Sequence, residues 1–143
     1  VYPVGLFLFG GRNNMNEHGT FTLEVIHQTL VVKCFDAWNT ETVTRLCKEY
    51  KEHAQQISDK PWGCLVDMSC WELSTPDMWE KIDELNEWGN QNNQKFEVVI
   101  CSLSIQRSLM ESSHEVLTNV ETQFCEDIAQ AYEWLASVGV YKK

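Results

Sequence analysis

The chain has little positive charge and lacks the motifs of common catalytic and nucleotide-binding sites. Against 21 aspartates and glutamates it has only 11 lysines and arginines, which gives a formal net charge of −10. Such a charge repels the phosphates of nucleic acids and anionic membrane surfaces, so we expect neither as a partner. The sequence contains no Gly-rich phosphate loop, no H-E-x-x-H and no nucleophile elbow. We therefore expect no cofactor.

The six cysteines also lack the spacing of a metal or disulfide framework. No C-x-x-C pair occurs, and no histidine lies at the spacing of a zinc ligand. Most of the cysteines stand in apolar runs such as VVKCF, WGCLV and VVICS, where a free thiol behaves as a small buried hydrophobe. This pattern predicts reduced core thiols, no metal site and a cytoplasmic protein.

Long hydrophobic runs are missing as well. The apolar patch Leu6–Phe9 is far too short to span a bilayer and has no basic segment before it. Regular patterning begins only after Met15, which we interpret as the natural start. Residues 1–14 are then expected to come from an expression vector or upstream read-through, and residues 15–143 to form one domain. A chain of this length with 43% hydrophobic residues can bury a sizeable core.

Hydrophobic periodicity predicts about five strands and about four helices. Phe21, Leu23 and Val25 alternate with other side chains as in a half-buried strand, and LVVKCFD follows as its hairpin partner. Asn39 or Thr40 is placed to cap an amphipathic helix. The runs WGCLVDM and KFEVVICS are continuously apolar, which is typical of central strands covered on both faces.

The remaining segments complete an α/β order. Thr75 and Pro76 predict the N-cap and first residue of a second helix, while SIQRSLM and EDIAQAYEWLAS predict two more helices on either side of a weaker strand, NVETQF. The order β-β-α-β-α-β-α-β-α predicts a mixed, mostly parallel central sheet with an N-terminal β-hairpin.

This order resembles the STAS-type domain, the fold of bacterial anti-sigma-factor antagonists, and more closely the SpoIIAA-like group of small proteins. The resemblance is carried by three stretches and extends by element order over residues 18–139: GTFTLEVIHQTLVVKCFDAWN, CLVDMS and FCEDIAQAYEWLAS. It implies a regulatory domain that works by binding a protein.

In the antagonists, a serine at the start of the helix after the central strand is phosphorylated to break binding to an anti-sigma kinase. By position, Ser74 and Thr75 fall where that switch would be, and they are the candidate phosphorylation sites. This chain has Leu-Ser-Thr-Pro-Asp in place of Asp-Ser-Ser-Gly. Pro76 removes one donor N–H and Asp77 already occupies the anion-favouring helix end, which favours an ordinary N-cap for these residues.

The strand end at Asp67 is the other chemical candidate. Open α/β sheets place ligands at the carboxyl ends of their strands. Asp67 with Ser69 or Cys101 would be an enzyme-like arrangement, but no histidine is supplied as a partner base. The alternative, which we favour, is that Asp67 accepts backbone N–H bonds in a turn.

Three tryptophans complete the predicted site. Trp71 is expected in the loop after the central strand, within reach of Trp79, with Trp38 on the loop after the second strand as an outer member. Exposed or half-exposed aromatics here would form a protein interface or line an apolar pocket.

The preferred interpretation is a non-enzymatic binding domain whose partner is a protein, with a second copy of the chain, as a homodimer, among the candidates. Its binding surface comprises Asp67, Ser69, Trp71, Ser74, Thr75, Trp79 and Trp38. The alternative is a carrier or sensor of a small apolar molecule, held between the sheet and the second helix. An enzyme using Asp67 is a third interpretation.

Overall fold

The computed structural model describes residues 17–72 and 75–143. The predicted tail at residues 1–14 and the predicted start at Met15 lie outside these residues. The elements are β1 (Thr20–Ile26), β2 (Thr29–Asp36), α1 (Thr40–Ala54), β3 (Trp62–Trp71), α2 (Met78–Gln91), β4 (Gln94–Ile100), α3 (Ser104–Ser113), a 3₁₀ turn (His114–Val116), β5 (Glu121–Cys125) and α4 (Ile128–Ser137).

One mixed sheet joins all five strands in their sequence order, β1-β2-β3-β4-β5. β1 pairs antiparallel with β2 through a short hairpin, and every later pair is parallel. The predicted fold class is therefore confirmed. Because β2 to β5 are parallel, their carboxyl ends share one edge of the sheet, and this edge positions the candidate site.

The sheet separates two hydrophobic cores. Successive residues of β3 serve opposite faces, since Cys64 belongs to the larger core and Leu65 to the smaller one. The larger core lies under α1, α2 and α3, and the smaller one lies under α4, which contributes Ala131 and Leu135. A central strand covered on both faces explains the continuous apolar run that predicted it.

The loop between β2 and α1 is tightly built. Asn39 caps α1, with its Oδ1 accepting from the backbone N–H of Thr42 at 3.2 Å, as one of the two predicted caps. Gly19 has a φ of +72°, and a Cβ there would lie 2.6 Å from Cδ1 of Trp38. Glycine at this position therefore allows the indole of Trp38 to pack directly against the start of β1.

Two of the element boundaries that differ from the sequence prediction lie at the candidate site. β3 continues beyond the predicted WGCLVDM to Trp71, because β2 still pairs with it there, Asp36 opposite Trp71. The second helix starts at Met78 and not at Pro76, and its N-cap is Asp77, which makes no side-chain capping bond. Residues 75–78 form a turn instead, with the Met78 N–H donating to the Thr75 carbonyl at 3.3 Å. The predicted N-cap role of Thr75 is wrong.

Candidate functional site

A small cavity lies between the sheet and α2, at the end of the larger core nearest the carboxyl edge of the strands. Its volume is about 60 Å³. We call it the tryptophan cavity. Its walls also include residues of β2, α1 and α3, and its most prominent lining side chains are three tryptophans and three methionines: Trp38, Trp71, Trp79, Met68, Met78 and Met110.

The three tryptophan rings form a continuous row. The ring centroids of Trp38 and Trp71 are 5.9 Å apart at an interplanar angle of 74°, and those of Trp71 and Trp79 are 6.1 Å apart at 89°. These are edge-to-face contacts, the arrangement that aromatic quadrupoles favour. The predicted grouping of these three tryptophans at the sheet edge is thus observed.

Their predicted exposure is wrong for two of the three. Trp71 is only 4% exposed and Trp38 only 5%, while Trp79 is half-buried. Trp71 does not lie in a loop but is the last residue of β3, and α2 and α3 cover this end of the sheet. The physical reason is that a ring this apolar, at a strand end with helices overhead, is removed from water by packing. These two tryptophans therefore line a cavity and not a surface.

One polar atom of this cluster lacks a partner. The Trp71 indole N–H, Nε1, is buried and has no hydrogen-bond partner among the residues described. The indole N–H groups of the two other buried tryptophans are both hydrogen-bonded. Trp38 Nε1 donates to the Thr20 carbonyl at 2.9 Å, and Trp62 Nε1 donates to the Asn92 carbonyl at 2.7 Å. Buried donors are bonded in the great majority of cases, so the exception at Trp71 requires an explanation.

We expect the difference between the bonded N–H of Trp38 and the unbonded N–H of Trp71 to appear in the free energy of unfolding. Trp71→Phe and Trp38→Phe remove the same atoms, but only the second loses a hydrogen bond, whereas the first relieves an unbonded buried donor. Trp71→Phe should therefore be less destabilising than Trp38→Phe by about 1–3 kcal/mol in the free energy of unfolding, measured by urea denaturation. Equal losses for the two variants would contradict the unpaired state of the Trp71 N–H.

Asp67 and Ser69 form a local turn-like contact within β3. The Asp67 carboxylate accepts from the Ser69 backbone N–H at 3.0 Å and from the Ser69 hydroxyl at 2.6 Å. The backbone bond is of the kind expected of a structural aspartate. The pairing of β3 with β4 ends at Asp67, opposite Ile100, so this carboxylate marks where β4 leaves the sheet.

The segment before α2 presents mainly polar groups. Thr75, Pro76 and Asp77 are exposed, and Ser74 lies outside the described residues. Hydrogen bonds from the hydroxyls of Thr40, at 2.9 Å, and Thr75 lower the pKa of the Asp77 carboxyl. Asp77 therefore joins the start of α2 to the start of α1 through Thr40.

A buried ion pair adjoins the cavity, and the sequence analysis did not predict it. Glu97 of β4 lines the cavity, and its Oε2 lies 2.5 Å from His114 Nε2; the two side chains are only 3% and 7% exposed. Gln94 Nε2 donates to the other carboxylate oxygen at 2.9 Å. The sequence did contain a sign of this pair, which is the glutamate inside the apolar run KFEVVICS. A glutamate is rarely buried without a partner, so its position in a central strand indicates a buried partner.

This pair sets the charge of His114. Burial lowers the pKa of the imidazole, but the hydrogen bond to Glu97 and the nearby carboxylates outweigh it, so the pKa lies above the usual 6.5. Nε2 is used for Glu97, and Nδ1 has no partner among the described residues. Besides Trp71 Nε1, the same holds for Oε1 of the neighbouring Gln94.

The thiols near the site are held protonated. Burial raises the pKa of Cys34, which lines the cavity, and of Cys64 beneath Tyr50. Burial likewise raises the pKa of Cys101, although the charge of Arg107 opposes it. Cys101 lies in a separate open cleft of about 850 Å³ between the ends of β4 and β5. A thiol with a raised pKa is a poor nucleophile at neutral pH.

Comparison with solved structures defines the class of fold, which is SpoIIAA-like. The first similar structure is an uncharacterised protein of the DUF3478 family with a SpoIIAA-like fold from Shewanella loihica PV-4. It is 18% identical, has a TM-score of 0.64, and the match covers 88% of this chain and 99% of that one. The second is the anti-sigma factor antagonist SpoIIAA in its unphosphorylated form, 10% identical with a TM-score of 0.60, covering 83% of this chain and 97% of that one.

The predicted resemblance is confirmed at the level of the fold. No protein-family profile and no curated protein sequence matches the chain at a significant level. Among the described residues, no helix is long and apolar enough to cross a membrane and no group of side chains is arranged to hold a metal ion.

Proposed function

We propose that the protein is a non-enzymatic binding module that holds a small, mainly apolar molecule in the tryptophan cavity. The observation that carries this proposal is the tryptophan cavity itself, whose wall is largely apolar and also includes the polar side chains of Asn86 and Glu97. Ligand sites are typically apolar hollows with a few polar groups that fix orientation, and they favour the carboxyl edge of α/β sheets.

The size of the cavity limits the ligand. A cavity of about 60 Å³ is less than half of the roughly 150 Å³ apolar cavity that accepts benzene in a well-studied engineered protein. The ligand is therefore smaller than benzene unless the walls move. Three of the wall side chains are methionines, which are unbranched and adapt readily to new contacts, so the cavity has the means to widen.

Filling the cavity tests this function. Cys34→Leu adds carbon to the wall, whereas Cys70→Leu makes the same change at an exposed residue nearby that does not line the cavity. We expect native mass spectrometry of protein purified from cells to show a bound small molecule on wild type and on Cys70→Leu, and little or none on Cys34→Leu. Equal occupancy of both variants would place the ligand elsewhere.

A second candidate function is binding of another protein through the surface around residues 67–79. What favours it is the fold, which is shared with an anti-sigma factor antagonist, and the exposure of Ser69, Glu72, Thr75 and Asp77 at this edge. Trp71 was predicted to contact the partner directly. Because its ring is buried, it would instead support the binding surface from beneath. Partner candidates include a second copy of the chain.

A charge reversal at the surface tests the second function. Glu72 is exposed and its side chain is free to change without disturbing the core. If the chain associates with itself here, light scattering should show a mass that rises with protein concentration and a weaker rise for Glu72→Lys. The matched control is Glu133→Lys on α4, across the sheet; an equal effect of both would argue against this surface.

Ser74 and Thr75 stay the candidate phosphorylation sites of this second function, and Thr75 is the one among the described residues. Its hydroxyl already donates to Asp77, so a phosphate there would bring two negative groups together. We expect phosphorylation to break the link through Asp77 to Thr40 and so to loosen α2 from α1. The expected signature is faster amide hydrogen exchange at the start of α2 in Thr75→Glu than in Thr75→Gln.

A further inference from the structure

The open cleft of about 850 Å³ at the ends of β4 and β5 is separate from the tryptophan cavity. We call it the β4–β5 cleft. Its walls are the residues that join β4 to α3 and β5 to α4, and it shares no lining residue with the cavity. Its volume lies in the range of sites that hold small molecules, and α/β sheets place ligands at this edge.

Two opposite charges line the β4–β5 cleft from different elements. Arg107 belongs to the first turns of α3, and Glu126 follows β5 at the corner that leads into α4. This corner is fixed, because the Glu126 backbone N–H donates to Gln130 Oε1 at 3.2 Å and the Asp127 carboxylate accepts from the Gln130 backbone N–H at 2.9 Å. Arg107 and Glu126 form no ion pair with each other, and no described residue pairs with the Glu126 carboxylate. The cleft therefore offers a positive and a negative group to the same bound molecule.

The Arg107 guanidinium is held at the cleft wall and is free to bind. Its Cζ lies 4.8 Å from the centroid of the Phe124 ring, which also lines the cleft. Its ion pair among the described residues runs along α3, from Nε to the Glu111 carboxylate at 3.8 Å, between two exposed side chains. An exposed pair at that distance contributes little, and it leaves both Nη groups available for a carboxylate.

Apolar side chains border the same cleft. Among the described residues, the exposed large hydrophobic side chains are Leu103, Ile105 and Ile128. Leu103 lines the cleft, Ile105 follows the lining residue Ser104, and Ile128 lies between lining residues of the corner before α4. Exposed apolar side chains that gather at one place mark binding sites, whereas scattered ones do not. A ligand of this cleft would therefore gain from an apolar group beside its charges.

From this arrangement we infer that the β4–β5 cleft binds a small zwitterion of the α-amino-acid type with an apolar side chain. The carboxylate of the ligand pairs with Arg107, its ammonium group pairs with Glu126, and its side chain contacts the apolar border at Leu103. A simple anion would use only Arg107 and lie near the like charge of Glu126, and a simple cation would meet the reverse situation. This site is independent of the cavity proposed above.

Leucine and two analogues that each lack one of its charges test this inference. The anion 4-methylpentanoate keeps the carboxylate and the isobutyl group without the ammonium, and leucinamide keeps the ammonium without the carboxylate. At pH 6 all of these groups and both side chains are charged. Each probe is titrated into wild type, Arg107→Gln and Glu126→Gln, and binding is followed by the backbone amide signals of Ser102 and Leu103 in ¹⁵N–¹H NMR spectra.

We expect leucine to bind wild type more tightly than either analogue does. Arg107→Gln should weaken leucine and 4-methylpentanoate by about fivefold, the upper value for an exposed ion pair, and leucinamide not at all. Glu126→Gln should weaken leucine and leucinamide to a similar extent and 4-methylpentanoate not at all. The matched control is Glu111→Gln, which removes a charge beside Arg107 that does not line the cleft and should not weaken leucine.

Three results would overturn the inference. In the first, leucine leaves the amide signals of the cleft unmoved in wild type. In the second, leucine binds Arg107→Gln and Glu126→Gln as tightly as wild type. In the third, each variant changes the affinity of all three probes by the same factor, so that neither charge recognises its assigned group.

Discussion

His114→Phe should lower the free energy of unfolding by about 3–5 kcal/mol at pH 6. The ring keeps much of the volume of the imidazole, so the loss comes from the Glu97 carboxylate, which would be left buried with one oxygen unbonded. Removing one partner of a buried ion pair costs this much because the remaining charge keeps its desolvation penalty. Urea denaturation of both proteins measures the difference.

The pH dependence of this pair has a definite sign. The pKa of His114 is raised on folding, so the folded state binds the proton more tightly than the unfolded state. The resulting stability is fully present below about pH 6.5, the unfolded value, and is lost as the pH rises through the folded pKa. The advantage of wild type over His114→Gln, which keeps an N–H donor without titrating, should therefore be smaller at pH 9 than at pH 6. An advantage that grows with pH would contradict the proposed charge state.

Trp62→Ala should cost a comparable 3–5 kcal/mol, for a different reason. Trp62 is completely buried, its ring meets that of Tyr50 at a centroid distance of 6.1 Å, and its N–H bonds the Asn92 carbonyl. Truncation leaves a large cavity at the start of the central strand and an unmatched carbonyl. The measurement is again the urea midpoint and slope.

Trp134→Ala is the matched control. Trp134 lies on the other face of the sheet, where it is only partly buried and packs against Phe96 with ring centroids 6.0 Å apart. Its truncation removes the same atoms but less buried surface, so its cost should be clearly smaller. A loss for Trp62→Ala no greater than that for Trp134→Ala would contradict the larger contribution expected from the buried, hydrogen-bonded ring of Trp62.

Local patterns were sufficient to predict the architecture. The alternation at Phe21, Leu23 and Val25, the apolar runs of β3 and β4, and the cap at Asn39 depend on residues close together in the chain. The alternation has the period of a strand, the cap marks a helix start, and the apolar runs have the length of strands and not of helices, so the element order followed. The boundary errors at Trp71 and Thr75 arose because strand pairing and turn formation there depend on neighbouring elements.

The candidate site was predicted only in part. That Trp38, Trp71 and Trp79 would meet followed from placing them at the same sheet edge. Whether their rings faced water or a cavity could not be read from the chain, because exposure depends on what α2 and α3 cover. The contact among the three rings was therefore predicted correctly, but Trp71 ends β3 and does not lie in the predicted loop, and both Trp71 and Trp38 are buried where exposure was expected.

By itself, the sequence determined the class of fold and the edge of the sheet at which the candidate site lies, since periodicity and strand polarity are local properties. Only the tertiary structure decided the chemistry of that site. Glu97 and His114 are 17 residues apart and meet across β4 and the end of α3. The unbonded N–H of Trp71 likewise exists only because packing removed water from it and no described side chain took its place. Burial and long-range pairing are properties of the assembled core, and they placed rings that were expected on a surface around a cavity.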